Sequence, residues 1–251
     1  MPAPSVKSSL HLDASLPRAR TGALTAAAHD EDEFSAGETL ADGFRAWLSQ
    51  LPVLAGCALL LHAPLLAFAF LPDLPEPIVA VAFVMAGVVA AGLVQGALVK
   101  AVLDHERSLP SDLGELLQAG LRVGPRAVGV HLAALGGTLA RLLMLVKPGV
   151  HYLCDTFVAV PALAVDQKSM QTALLRSTRL ARGARLRIFL VAVVPWTTAA
   201  LVAASSGAFG QSSFEDLPWL IAFIFARALD TSLAATLAAT TYSRLSSRPG
   251  N

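Results

Sequence analysis

Charge is what this chain has least of. Only 15% of its 251 residues are Asp, Glu, Lys or Arg, against 55% hydrophobic, and mean hydropathy is +0.60. A soluble domain carries about 25% charged residues. The deficit is concentrated in 48–71, 78–99 and 188–209, each long enough for a spanning helix of roughly 20 apolar residues. Cysteine is also scarce. Cys57 and Cys154 both fall in apolar windows, which argues against a disulfide framework or a zinc site and for small buried thiols. A formal net charge of +1 with no basic domain argues against nucleic-acid binding. Gly-x-Ser-x-Gly, His-Glu-x-x-His and phosphate-loop patterns are all missing. The chain is therefore expected to be non-enzymatic, with no cofactor and no metal ligand set.

What is present is a series of apolar segments. They predict an all-α polytopic membrane protein with six transmembrane helices, at about 47–71, 78–102, 126–147, 149–166, 188–209 and 217–241. Lys147-Pro148-Gly149 reads as a tight break that folds spans three and four into a hairpin. Residues 1–34 hold scattered early basic residues and the acidic run Asp30–Glu33, with no apolar core of a signal peptide. They read as a disordered cytoplasmic tail ahead of a membrane domain over 35–245, with 246–251 as a second tail.

Connecting segments set the expected direction. Segments 72–77 and 210–216 carry acids and no base. Segment 103–125 carries Arg107 and Arg122, and segment 167–187 carries Lys168 and five arginines. Lys and Arg are enriched in cytoplasmic loops, so both termini are expected to be cytoplasmic.

Each hairpin follows a stretch with an apolar face at helical spacing. The first starts at the capping box Ser35–Glu38 and presents Leu40, Phe44, Trp47, Leu48 and Leu51. The second presents Leu113, Leu116, Leu117 and Leu121. The third, after Ser169, presents Met170, Ala173, Leu174 and Ala181 opposite its arginines. Leu116, Leu121, Gly124 and Arg126 match Leu175, Leu180, Gly183 and Arg185 at one offset. The expectation is three repeats of an interfacial amphipathic helix plus a helical hairpin, although alternating topology alone would produce a similar layout.

Charges inside the spans are the candidate site. Arg141 lies seven residues before Pro148 and Asp155 seven after it, which puts opposite charges at equal depth if Pro148 marks the turn. Arg227 and Asp230 share a face of span six, and His151 is one turn from Asp155. Arg141, Asp155, Arg227, Asp230 and His151 are thus expected to form an intramembrane polar cluster. It would serve either as ion pairs that set helix register or as a cavity for an ion, proton or lipid head group. Arg176, Arg179, Arg182, Arg185 and Arg187 flank an apolar stripe and suit anionic phospholipid, while plain positive-inside anchoring explains the same residues. Gly92–Gly96 and Gly136-Gly137 permit close helix contact, within the chain or in a homodimer. Pro64, Pro161 and Pro195 are expected to kink their spans.

Several short motifs occur in a fixed order: Pro148–Tyr152, Ala159–Leu163, Ala173–Ser177, Leu180–Gly183 leading into Arg187–Phe189, and Thr241–Arg244. On these, Gly96–Arg244 resembles a bacterial family of six-span membrane proteins related to the membrane domain found beside some glycerophosphodiester phosphodiesterases. The chain departs from the family's pattern at Lys147 and Asp155. The metal-binding His, Glu and Asp motifs of the phosphodiesterase itself are not visible here. The resemblance implies a membrane domain of accessory character. The functional expectation is an accessory or scaffold in the bacterial cytoplasmic membrane, with membrane lipids and a membrane-protein partner or second copy as its contacts. The alternative is a small transporter or lipid-handling protein that uses the charged cluster.

Overall fold

The first helix begins where the sequence carries a cap. The Ser35 side chain accepts from the Glu38 backbone N–H at 3.4 Å and opens α1, Ala36–Ser49. Gln50 breaks the path, and α2, Leu51–His62, continues with Pro52 in its first turn. Pro64 then ends the α-helical ladder, and Ala63–Phe70 winds as a 3-10 helix. The remaining helices are α3 Glu76–Glu106, α4 Leu113–Met144, α5 Val146–Thr156, α6 Ala159–Asp166, α7 Met170–Ala181, α8 Arg185–Ala208 and α9 Leu217–Ser246. The computed structural model describes residues 34–70, 76–106, 112–166, 169–208 and 217–248, and among them there is no strand.

Six segments are long and apolar enough to cross a membrane: Leu51–Phe68, Val81–His105, Leu113–Met144, Val146–Val165, Arg185–Val202 and Leu217–Ser246. Their outer faces support lipid as the surrounding medium. Ile78, Val81, Met85 and Val89 on α3 are exposed at steps of three or four residues. Leu132, Leu135, Leu139 and Leu143 on α4, Leu186 and Leu190 on α8, and Leu217, Ile221 and Phe225 on α9 follow the same rule. Each large apolar side chain left in water forgoes roughly 1.5–3 kcal/mol, so stripes of this kind belong against hydrocarbon.

The polar groups are turned inward, chiefly on α9. This helix packs against α1, α2, α3 and α8. Its buried face includes Asp230, Thr231, Ser232, Thr236, Thr240 and Thr241. The hydroxyls of Thr231, Thr236, Thr240 and Thr241 each donate to the carbonyl four residues back, at 2.6–3.0 Å, so burial leaves them bonded. Small residues at these positions also let neighbouring helices approach closely.

Glycine sets the closest approach between α3 and α4. A Cβ on Gly92 would lie 2.9 Å from the Val128 backbone, and one on Gly96 would lie 3.1 Å from the Gly124 nitrogen. Gly120 meets α3 in the same way, its Cβ position 3.2 Å from the Leu93 carbonyl oxygen. The Gly92–Gly96 pair therefore serves intramolecular packing against Gly120 and Gly124, which form a second Gly-x-x-x-Gly.

The structure differs from the sequence expectations at several places. The hairpin turns at Leu145, not at Pro148: α4 runs to Met144 and α5 starts at Val146. Lys147, Pro148 and Gly149 form the first turn of α5, where proline's missing N–H costs no helical bond. The segment from Leu113 is not a separate interfacial helix. It runs unbroken into span three, because Gly120 and Gly124 lock it onto α3 and Pro125, facing outward, leaves the helix continuous. The other two leading helices are separate but packed: α1 lies antiparallel along α9, and α7 buries Ala173, Ser177, Leu180 and Ala181. Phe34 is no part of a tail, since it is buried in the core with the Arg248 guanidinium 5.4 Å from its ring centroid. Residues 1–33 of the expected tail, and 249–251 of the second, lie outside the described residues.

The glycine contacts make a sharp prediction. Gly92→Val or Gly124→Val should lower stability by about 1–3 kcal/mol through overpacking. Gly136→Ala, where a Cβ meets nothing within 4 Å, should change it by less than about 0.5 kcal/mol. Thermal unfolding of the full chain in detergent measures both.

Candidate functional site

The buried acids each find an arginine, though not the expected one in both cases. Asp155 lies near the end of α5 and is 8% exposed. Arg185, the first residue of α8, grips it in a fork: Nε donates to Oδ1 at 2.7 Å and Nη2 to Oδ2 at 3.0 Å. Bidentate geometry makes this a strong charge-assisted contact. Ser177 on α7 completes the knot by donating its hydroxyl to the Asp155 backbone carbonyl at 2.5 Å. One residue thus joins α5, α7 and α8. Local sequence makes this possible. Gly183 adopts φ +79°, a left-handed conformation that ends α7 and turns the chain so that Arg185, at the head of α8, reaches Asp155 on α5.

Asp230 is the second anchor. Arg227, one turn earlier on α9, donates to Oδ2 at 2.8 Å, and Thr198 of α8 donates to Oδ1 at 2.5 Å. Both carboxylate oxygens are bonded, and α8 is tied to α9. Pro195 lies one turn before Thr198 and sits inside α8 without breaking it.

Arg141 does not meet Asp155. With the turn at Leu145, Arg141 stands four residues before it and Asp155 ten after, so their depths differ by about 9 Å at 1.5 Å per residue. Arg141 instead donates from Nη1 to its own helix at Gly137 O, at 2.9 Å, and stacks 3.8 Å over the Tyr152 ring centroid. His151 is half-buried on α5 and takes no part in either acid's bonding. The five residues expected to converge are therefore divided: Asp155 is held by Arg185, Asp230 pairs with Arg227, Arg141 lies on Tyr152, and His151 joins none of these contacts. His62 on α2 is buried, its Nδ1 donating to the Ala58 carbonyl at 2.8 Å.

The arginines of 176–187 also separate. Arg185 is held by Asp155, and Arg176 lies 5.7 Å from the Tyr242 ring centroid. Arg179 and Arg182 are exposed, and Arg187 is half-buried near Arg248. Sequence reasoning missed three further partners. Trp47 Nε1 donates to Ser232 Oγ at 2.8 Å, and Arg244 pairs with Glu38 at 3.0 Å and with Asp42. These bonds run in reverse order along α1 and α9, from Glu38 beside Arg244 to Trp47 beside Ser232. Acids on one amphipathic stretch and a terminal arginine gave only a weak signal for this pairing.

These features define a multi-pass helical membrane protein whose buried charges tie helices together. Comparison of the chain with family models, curated proteins and solved structures finds no match.

Two outcomes test the geometry. Asp155→Ala and Arg185→Ala should each cost about 2 kcal/mol, discounted because Arg185 is 39% exposed, and the double change should cost less than their sum. Arg141→Ala combined with Asp155→Ala should be additive. Thermal unfolding in detergent gives the coupling in both cycles. At the α1–α9 contact, the Arg244 guanidinium holds the Asp42 carboxyl below its usual range. A lowered native pKa contributes stability above the ordinary value near 4 and loses it as pH falls through the lowered one. Asp42→Asn should therefore flatten the fall in melting temperature below about pH 4, with an effect under about 1 kcal/mol because Asp42 is 41% exposed.

Proposed function

We propose that this chain is a non-enzymatic integral membrane protein, an accessory or scaffold in the bacterial cytoplasmic membrane with both termini cytoplasmic. The observation that carries the reading is the saturation of its buried acids. Both oxygens of Asp155 and both of Asp230 accept bonds from side chains on the same or neighbouring helices. Carboxylates so committed serve to fix the register of the helices they join. The resemblance of Gly96–Arg244 to six-span proteins of accessory character supports the same reading. Exposed Arg179 and Arg182 sit in a basic segment on the side the charge bias assigns to the cytoplasm, where each contributes about 1 kcal/mol toward an anionic leaflet.

The alternative, a small transporter or lipid handler built on a charged cluster, requires Arg141 to join the acids. Its stacking on Tyr152 weakens that case.

Proteoliposomes separate the two. The full chain, loaded with a pH-sensitive dye and driven by a proton or sodium gradient, should leak no faster than empty vesicles. The charge-neutral double variant Arg227→Gln/Asp230→Asn should match it. A flux above background that the double variant abolishes would replace the scaffold by a transporter.

A further inference from the structure

Of the five arginines on α7 and at the start of α8, the fold sets three against its own side chains. Arg185 is held by Asp155, Arg176 lies by the Tyr242 ring, and Arg187 is half-buried near Arg248. Arg179 and Arg182 differ. Both are exposed, and among the described residues neither pairs with a carboxylate. They stand three residues apart at the end of α7. Arg182 caps the helix with φ −60°, so its Cβ still follows the helical path. Side chains at this spacing leave one face with Cβ atoms about 5–6 Å apart. Two guanidinium groups so placed repel each other, and an anion between them removes the repulsion. The face of α7 that could have lain on a membrane is not available, because Ala173, Ser177, Leu180 and Ala181 are turned into the bundle. What α7 offers outward is the stripe Leu175, Arg179 and Arg182, with Leu175 61% exposed.

The chain then turns at Gly183 and enters α8, a segment apolar enough to span. Its first outward residues are Leu186 and Leu190, 73% and 51% exposed. They stand one turn apart, so Leu190 lies about 6 Å farther along the helix, away from the arginines. Four residues of chain reach at most about 14 Å, which keeps Leu186 within one lipid's length of Arg182. The order along the surface is therefore cations first and exposed leucines after them, deeper along the span. A phospholipid has the same order, with its phosphate at the surface and its acyl chains running toward the bilayer centre. The 24-residue α8 also points the positive end of its dipole at this turn.

We propose that the α7–α8 elbow binds one anionic phospholipid, its phosphate between Arg179 and Arg182 and an acyl chain along Leu186 and Leu190. Arginine supplies the fork of donors that matches phosphate oxygens. The site rests on the reading above for its place at the cytoplasmic face, and it narrows the five candidate arginines to two.

Native mass spectrometry of the full chain in detergent tests this. Three probes are added separately: phosphatidylglycerol, diacylglycerol with the same acyl chains, and glycerol 3-phosphate. The wild type should retain phosphatidylglycerol and release the other two. Arg179→Gln and Arg182→Gln should each weaken retention about fivefold, the equivalent of about 1 kcal/mol for one basic residue, and the double variant about 25-fold. Leu186→Ser should weaken it about twofold. Arg45→Gln, which removes an exposed arginine from α1, should change nothing. All five variants alter exposed side chains and should keep the melting temperature of the wild type. Unchanged retention in the double variant would overturn the site, and so would an equal loss in Arg45→Gln. Equal retention of diacylglycerol would overturn it too, and retention of glycerol 3-phosphate as tight as that of the lipid would make it an ion site instead. The dye-flux measurement reads the scaffold and this one reads the lipid, so either can fail alone.

Discussion

A helix in hydrocarbon has no water to fall back on, so each polar side chain must find a partner inside the protein or reach an interface. Most of the arrangement follows from that restriction. Serine and threonine on α9 return their hydroxyls to the helix backbone. The two buried aspartates recruit arginines and also bind a second helix, through Ser177 in one case and Thr198 in the other. Apolar side chains, which need no partner, occupy the outside at helical intervals. The usual division of a soluble protein is relaxed, and packing between helices rests on small residues and polar bonds rather than on escape from water.

Under this restriction the first and last described helices become structural partners. Segment α1 carries charge and could have lain loosely on a membrane surface. It is instead stitched to α9 by Arg244 at one end and by the Trp47–Ser232 bond at the other, with Gly43 in close contact with Leu237 between them. The same economy governs α7. Its polar residue Ser177 points inward to a backbone carbonyl, while Arg179 and Arg182 stay exposed. Arg141 is the exception that gives the hairpin its interest. Among the described residues no carboxylate pairs with it, and its guanidinium is held by Gly137 O and the Tyr152 ring instead.

Much of the fold was legible because hydropathy and helical period are local properties. Six spans, the cap at Ser35, the helix that follows Ser169 and the capacity of small residues for close helix contact all appear in short windows of sequence. The site was less legible. Asp155 was marked as costly in lipid, but its partner was sought across the hairpin, in Arg141. That inference placed the turn at Lys147-Pro148-Gly149, where proline and glycine usually mark one. Proline is equally at home in the first turn of a helix, and the shift of three residues moves Arg141 about 9 Å away from Asp155 in depth. Sequence places Arg185 among five loop arginines and as the counterpart of Arg126 but does not pair it with Asp155, since its position at the head of α8 depends on the left-handed Gly183.

The amino-acid order alone determined the solvent, the helical class and which residues would be expensive to bury, because transfer free energies and backbone hydrogen bonding act residue by residue. It also marked Arg141, Asp155, Arg227 and Asp230 as charges in need of an explanation. Only the tertiary structure decided which of them meet. Pairing across helices depends on where each turn falls and how each helix is rotated, and an error of one residue swings a side chain by about 100° around its axis. Such angles are set jointly by the glycine contacts of α3 with α4, the turn at Gly183 and the close fit of α1 on α9, none of which is a property of any one segment.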